Sequence, residues 1–149
     1  MEAIIFIGIQ GSGKSTFFRE RFFDTHVRIN LDMVRTRRRE ELLMNACLQG
    51  GQSFVVDNTN PLPVDRVRYI DPARAAGFRT VAYVFKSSLR DAMQRNNLRR
   101  GKQKIPAAAV AATFKKLLPP SMEEGFDQIY TVELTPDRGF LISEQAHRA

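Results

Sequence analysis

The chain has 149 residues, 43% of them apolar, which suits one domain with a sizeable core and leaves little room for a second. Its 23 Lys and Arg against 16 Asp and Glu give a formal net charge of +7, pointing to an anionic partner, either nucleotide phosphates or a nucleic acid. The single cysteine, Cys47, excludes an internal disulfide, no apolar run reaches the length of a membrane span, and Met1-Glu2 leads straight into a strand without a charged leader region, so a cytoplasmic protein is expected.

Ala3 to Ile7 is an apolar run of the kind that forms a buried parallel strand. Gly8-Ile9-Gln10-Gly11-Ser12-Gly13-Lys14-Ser15-Thr16 follows, with the P-loop spacing G-x-x-x-x-G-K-[ST]. The glycines let backbone N–H groups turn inward, and a helix expected from Lys14 to Phe23 directs its positive end at the same point. Such a nest takes a nucleoside triphosphate, ATP or GTP. Gly8, Gln10, Gly11, Ser12 and Gly13 form the cradle, Lys14 reaches the β- and γ-phosphates, Ser15 ligates Mg²⁺ and Thr16 lies near the α-phosphate. Phe17, Phe18, Phe22 and Phe23 are expected to pack this helix on the sheet. His26 has no metal-spaced partner and reads as a loop residue.

Val27 to Asn30 reads as a short second strand, followed by a helix from about Asp32 to Gln49 closed by Gly50-Gly51. Asp32 is either the N-cap of that helix or, in the crevice past a strand's carboxyl end, a base that takes a proton from an attacking hydroxyl. Arg35, on nearly the same helical face, either holds an acceptor's phosphate or pairs with Asp32. Arg37-Arg38-Arg39-Glu40-Glu41 reads as a solvated face, and Cys47 as a buried small hydrophobe.

Ser53 to Asp57 is an apolar strand ending in a carboxylate, the Walker-B form in which Asp57 holds Mg²⁺ directly or through water. Asn58 to Asn60 form a polar turn, with Pro61 expected in the first turn of a helix that Pro72 kinks or splits and Gly77 ends. Thr80 to Phe85 is a fourth strand, and a helix from Ser88 to Arg99 carries Arg95 and Arg99 four residues apart, on one face. The basic segment Arg99-Arg100-Gly101-Lys102 between that helix and an Ala-rich one from Ala107 has the composition of a phosphate-closing lid. Gln128 to Leu134 is the last expected strand. The tail 135–149 shows only the apolar patch Phe140-Leu141-Ile142, and His147 reads as a fraying end.

Ile29-Asn30-Leu31-Asp32-Met33-Val34-Arg35, Val56-Asp57-Asn58-Thr59-Asn60-Pro61, Ala73-Arg74-Ala75-Ala76-Gly77, Arg95-Asn96-Asn97, Ile105-Pro106 and Glu124-Gly125-Phe126 together resemble the kinase domain of polynucleotide 5′-hydroxyl kinases. The resemblance spans residues 1–134, and small bacterial P-loop proteins regarded as kinases share it. It implies that Lys14 and Ser15 bind nucleotide phosphates and magnesium, Asp32 is the general base, Arg35 contacts the acceptor's phosphate, and Arg95 and Arg99 serve the lid, with Arg100 competing for the second lid position; Asn58 and Asn60 are further candidates for contacts with the acceptor. Gln10 stands where such kinases often have proline, and the D-x-D-x-T signature of a companion 3′-phosphatase is missing. The expected architecture is an adenylate-kinase-like P-loop α/β domain, a five-stranded parallel sheet with helices on both faces, over residues 1–134 with a C-terminal tail at 135–149. The expected reaction is transfer of a γ-phosphoryl group to the 5′-hydroxyl of DNA or RNA. A small-molecule kinase and a non-catalytic nucleotide switch are the alternatives.

Overall fold

The computed structural model describes residues 1–101 and 104–145, so Lys102 and His147 lie outside the described residues. The strands are β1 (Glu2–Ile7), β2 (Val27–Ile29), β3 (Phe54–Val56), β4 (Arg79–Lys86), β5 (Gln128–Leu134) and β6 (Phe140–Glu144). The helices are α1 (Lys14–Arg21), α2 (Leu31–Val34), α3 (Arg37–Gly50), α4 (Pro63–Ala75), α5 (Leu89–Asn97) and α6 (Ala107–Lys116). The strands form one sheet in the order β2-β3-β1-β4-β5-β6, parallel up to β5. The chain crosses from β1 to the edge at β2, returns to β3 beside β1, then continues to β4 and β5 on the other side. The carboxyl end of β1 therefore opens into the crevice where α/β sheets bind ligands.

The alternation of β1 divides the core. Ala3, Ile5 and Ile7 face Met44, Cys47, Tyr69, Ile70 and Ala73 of α3 and α4, whereas Ile4 and Phe6 face Phe17, Phe18 and Phe22 beside α1. The whole β1 core run is at most 1% exposed, as a strand covered on both faces must be. Phe6 meets Phe85 edge-on with ring centroids 4.9 Å apart, and Phe17 meets Phe140 at 5.0 Å. Full burial of side chains of this size stabilises by roughly 1.5–3 kcal/mol each. Phe23 departs from the expected packing: α1 ends at Arg21, and this ring is 69% exposed. Among the described residues no helix is long and apolar enough to cross a membrane.

Three further expectations are corrected. The sheet has a sixth strand, β6, antiparallel to β5, and Phe140 and Ile142 pack on the α1-side core. The turn joining β5 to β6 closes through Thr135 N–H to Gly139 O at 2.9 Å, with Arg138 at φ 65°. The helix expected from Asp32 to Gln49 is broken: α2 ends at Arg35, which is left-handed at φ 74°, and Thr36 starts α3 by accepting Arg39 N–H on its hydroxyl at 3.1 Å. Helix α4 begins at Pro63 rather than Pro61, its N-cap amide at Leu62 donating to Asp65 at 3.0 Å, and it runs through Pro72 unbroken.

Candidate active site

The P-loop joins β1 to α1. Gly13 is the N-cap of α1 at φ 100°, a backbone conformation that a side chain would strain, and it points the first amides of α1 into the loop. Gly11, at φ 80°, lies so close to α5 that a Cβ there would run into the Ala92 carbonyl oxygen. Gly8 N–H is tied to Thr59 O at 3.0 Å, fixing the loop to the turn after β3. Lys14 is 9% exposed and folds back, its Nζ donating to Gly8 O at 3.0 Å and Ile9 O at 2.9 Å. Burial lowers its pKa to about 8. The nearby Arg99 charge pushes the same way, and Asp57 opposes both. Two buried oxygens of the loop, Gln10 Oε1 and Ser12 Oγ, have no hydrogen-bond partner among the described residues, while Gln10 Nε2 reaches Thr113 Oγ1 at 3.3 Å. Thr16 is exposed on the first turn of α1.

Below the loop, Ser15 Oγ donates to Asp57 Oδ2 at 3.0 Å, so the hydroxyl and carboxylate read from sequence as metal ligands do meet. Hard oxygen donors at this separation suit two adjacent corners of a Mg²⁺ octahedron with bonds of about 2.0–2.1 Å. Among the described residues no group of three or more His, Cys, Asp and Glu side chains could hold a metal. A metal here would therefore take most of its ligands from phosphate and water. The residues fit magnesium held together with a nucleotide. A third residue, missed from sequence, joins them: Arg28 donates from Nε to Asp57 Oδ2 at 2.9 Å and from Nη2 to Ser15 Oγ at 3.1 Å. Its signal was a charge inside the otherwise apolar strand Val27-Arg28-Ile29.

The turn after β2 carries Asp32, which is not the N-cap of α2. Asn30 is, accepting Met33 N–H on Oδ1 at 3.0 Å and donating from Nδ2 to Asp57 O at 2.6 Å. This leaves the Asp32 carboxylate exposed in the first turn. Arg35 is also exposed, but as the left-handed C-cap of α2 it does not share a continuous helical face with Asp32. A buried network holds the turn in place. Asn58 Oδ1 accepts Leu31 N–H at 2.9 Å, and its Nδ2 donates to Glu40 Oε2 at 3.0 Å. Glu40, 2% exposed, takes Tyr69 O–H and Arg37 Nη1–H on Oε1, each at 2.9 Å. Burial and the Glu40 carboxylate push the Tyr69 hydroxyl up to about 12. Glu40 is thus an internal member of the framework, held by an exposed Arg37, while Arg38, Arg39 and Glu41 form the solvated face expected from the sequence. Asn60 likewise donates to Phe6 O at 2.9 Å from a 4% exposed side chain, placing both asparagines in the framework beneath the crevice.

On the other flank Arg95 donates from Nε to Gly11 O and from Nη2 to Ser87 Oγ at 2.6 Å, so it binds the P-loop itself. Burial lowers its pKa, with Asp91 opposing and Arg99 adding to the effect. Helix α5 ends at Asn97 with Leu98 as C-cap, which puts Arg99 and Arg100 beyond the helix. Asn96, fully buried, brackets Ile105, donating to its carbonyl at 2.6 Å and accepting its N–H at 3.0 Å. The α5–α6 connection is pinned at its base by this pair. A cavity of about 910 Å³ opens beside Ile9 and Arg95, bordered by Ser87, Phe114 and Thr131.

The chain is 31% identical over 147 residues to a protein of Acanthamoeba polyphaga mimivirus named as a bifunctional polynucleotide phosphatase/kinase, covering 94% of this chain and 35% of that protein. It is 26% identical over 136 residues to the bifunctional polynucleotide phosphatase/kinase of Schizosaccharomyces pombe, covering 88% and 33%. The chain thus spans about a third of the length of these curated relatives. Among solved structures, a gluconokinase from Sinorhizobium meliloti 1021 superposes with a TM-score of 0.61 at 17% identity, over 89% of this chain and 82% of that one. Chaetomium thermophilum Kti12 in complex with ADP-AlF3 gives 0.66 at 14% identity, over 91% and 92%. The family described as AAA domain matches residues 4–120, and the chain belongs to it as a kinase-type P-loop domain.

Proposed function

We propose that this domain transfers the γ-phosphoryl group of a nucleoside triphosphate to the 5′-hydroxyl end of DNA or RNA. The observation that carries the reading is the exposed Asp32–Arg35 turn, tied by Asn30 and Asn58 to the loop after β3 and so held beside the P-loop crevice. Among the described residues neither side chain has a hydrogen-bond or ion-pair partner, unlike the framework residues around them. A carboxylate kept free of a capping role is available to accept a proton, and a neighbouring guanidinium to hold a phosphate. The names of the curated relatives support a polynucleotide acceptor.

In this reading the P-loop amides and Lys14 hold the triphosphate, and the cavity beside Ile9 and Arg95 receives the rest of the nucleotide. Ser15 and Asp57 would hold magnesium, which when bound supplies positive charge to the phosphate oxygens. The acceptor oxygen bonds to the γ-phosphorus as the bond from that phosphorus to the β–γ bridging oxygen breaks, and the acceptor's proton passes to Asp32. Arg35 holds the acceptor's nearest phosphate. Arg95 braces the loop, and Arg99 adds charge beside Lys14. Such chemistry depends on positioning and charge neutralisation more than on covalent assistance.

The test is incubation with γ-labelled ATP or GTP, magnesium, and DNA and RNA oligonucleotides ending in a 5′-hydroxyl or a 5′-phosphate. Label should enter only the 5′-hydroxyl oligonucleotides, and apparent affinity should fall with added salt as counterions are released. Labelling of a sugar, nucleotide sugar or antibiotic in place of the oligonucleotides would instead make this a small-molecule kinase. Slow hydrolysis without transfer would make it a nucleotide switch.

A further inference from the structure

Arg28 has no part in the reaction just described, yet its guanidinium sits on the residues proposed to hold the metal. Asp57 Oδ2 accepts both Ser15 Oγ–H, at 3.0 Å, and Arg28 Nε–H, at 2.9 Å, while Arg28 Nη2 donates to Ser15 Oγ at 3.1 Å. With its own proton directed at Asp57, Ser15 has only oxygen lone pairs to offer a metal, and one of them is taken by Nη2. A small divalent ion needs both oxygens at about 2.0–2.1 Å and cannot enter while a second cation lies against them. The two partners differ in their freedom: the Arg28 side chain is 30% exposed on edge strand β2, and that of Asp57 is 1% exposed. The guanidinium has a route to solvent, whereas the buried carboxylate would be left with only the more weakly coupled Lys14 charge.

We propose that Arg28 is a tethered stand-in for the metal, occupying the Ser15–Asp57 position until a metal–nucleotide complex displaces it, so that free divalent cation binds the nucleotide-free protein poorly. The proposal rests on the reading of Ser15 and Asp57 as metal ligands. It assigns Arg28 a positioning role that sets the order of binding, with the metal entering together with the nucleotide.

The experiment is a titration of the full chain with Mn²⁺, following free Mn²⁺ by electron paramagnetic resonance, first without nucleotide and then with a non-hydrolysable ATP analogue. Without nucleotide, Arg28→Gln and Arg28→Ala should each bind Mn²⁺ about tenfold more tightly than the wild type, about 1.4 kcal/mol. Adding Asp57→Asn to either should remove the gain, and Arg28→Lys, which keeps the charge, should stay near the wild type. Arg28→Gln keeps hydrogen-bonding capacity and so gives a folded comparison if Arg28→Ala is destabilised, with folding checked by circular dichroism. The proposal is overturned if neither neutral variant binds more tightly, or if Arg28→Lys gains as much as they do. With the analogue present, Asp57→Asn should weaken Mn²⁺ binding. If it does so while the neutral Arg28 variants show no gain, the metal site stands and the stand-in role alone fails; if it does not, the metal assignment fails and takes the proposal with it.

Discussion

Two arginine–carboxylate pairs, one on each side of β1, show how the same chemistry serves opposite ends. Arg66 is fully buried: Nε donates to Asn60 O at 3.0 Å, Nη1 to both oxygens of Glu124 at 3.1 Å, and Nη2 to Pro61 O at 3.0 Å and to Leu118 O. Every one of its N–H groups has an acceptor, and three of those acceptors are backbone carbonyls. Arg28, by contrast, is partly exposed, and both its contacts are with side chains proposed to bind a ligand. A saturated, dry guanidinium locks the loop after β3 to Glu124, the last residue of the 3-10 turn Met122–Glu124, whereas an unsaturated, half-wet one can leave. For these two arginines, burial and completeness of hydrogen bonding, rather than the presence of an ion pair, separate framework from site.

The largest expected effect tests that separation directly. Arg66→Ala removes one partner of a buried pair and strands Glu124 and several carbonyls, which costs about 3–5 kcal/mol. Arg28→Ala should cost less, about 2 kcal/mol, because Asp57, though buried, keeps the Ser15 hydroxyl and the nearby charge of Lys14. Urea unfolding followed by circular dichroism reads both, and equal losses at the two positions would erase the distinction.

A smaller effect, on rate rather than on stability, is expected within the site. Asp32→Asn leaves the Asn30 cap and the Asn58–Glu40 bracket untouched, so the variant should melt within a degree or two of the wild type. Phosphoryl transfer should nevertheless fall by about 10²-fold or more, the worth of a positioned general base. Because Asn30 rather than Asp32 caps α2, loss of stability in Asp32→Asn has no ready structural cause, and a stable variant of unchanged rate would remove the carboxylate from the mechanism.

What was legible in the sequence follows the same division. The parallel strands, the P-loop and the meeting of Ser15 with Asp57 were readable because each depends on a local pattern: an apolar run, a glycine spacing, a carboxylate at a strand's end. Strand β5 has the bounds its apolar run indicates, Gln128–Leu134. The framework arginine and the Glu40 network were not readable, since Arg66 meets Glu124 across 58 residues and Glu40 meets Tyr69 across 29, and an arginine or glutamate on a helix carries no local sign of its partner. The break at Arg35 was readable in part: Thr36 has the side chain of an N-cap, but α2 and α3 together keep an almost unbroken helical composition. Strand β6 was hidden because it is short, lies at the sheet edge and only partly buries Phe140 and Ile142, so its pattern barely differs from that of a tail.

The last expected effect is a pair of opposed pH dependences at Lys14. In the nucleotide-free protein its ammonium is buried against the Gly8 and Ile9 carbonyls, and its pKa of about 8 lies below the 10.5 of an exposed lysine. Between pH 8 and 10 the native state has released this proton while the unfolded chain still holds it, so the unfolded state binds more protons and stability rises with pH. Tyr69 and Tyr83, each pushed up to about 12, act in the other direction only above pH 10, where unfolded tyrosines ionise first. Nucleotide affinity should move oppositely over the same window. A triphosphate favours the charged lysine, so each pH unit above 8 should weaken binding, by at most about tenfold because one proton is involved. The difference between wild type and Lys14→Met isolates both trends, since the variant keeps the tyrosines and lacks the ammonium. Unfolding free energies at pH 8 and 10, with nucleotide affinity at the same two values, should show the wild type gaining stability and losing affinity relative to Lys14→Met. Parallel movement of the two quantities would place the buried charge somewhere other than on Lys14.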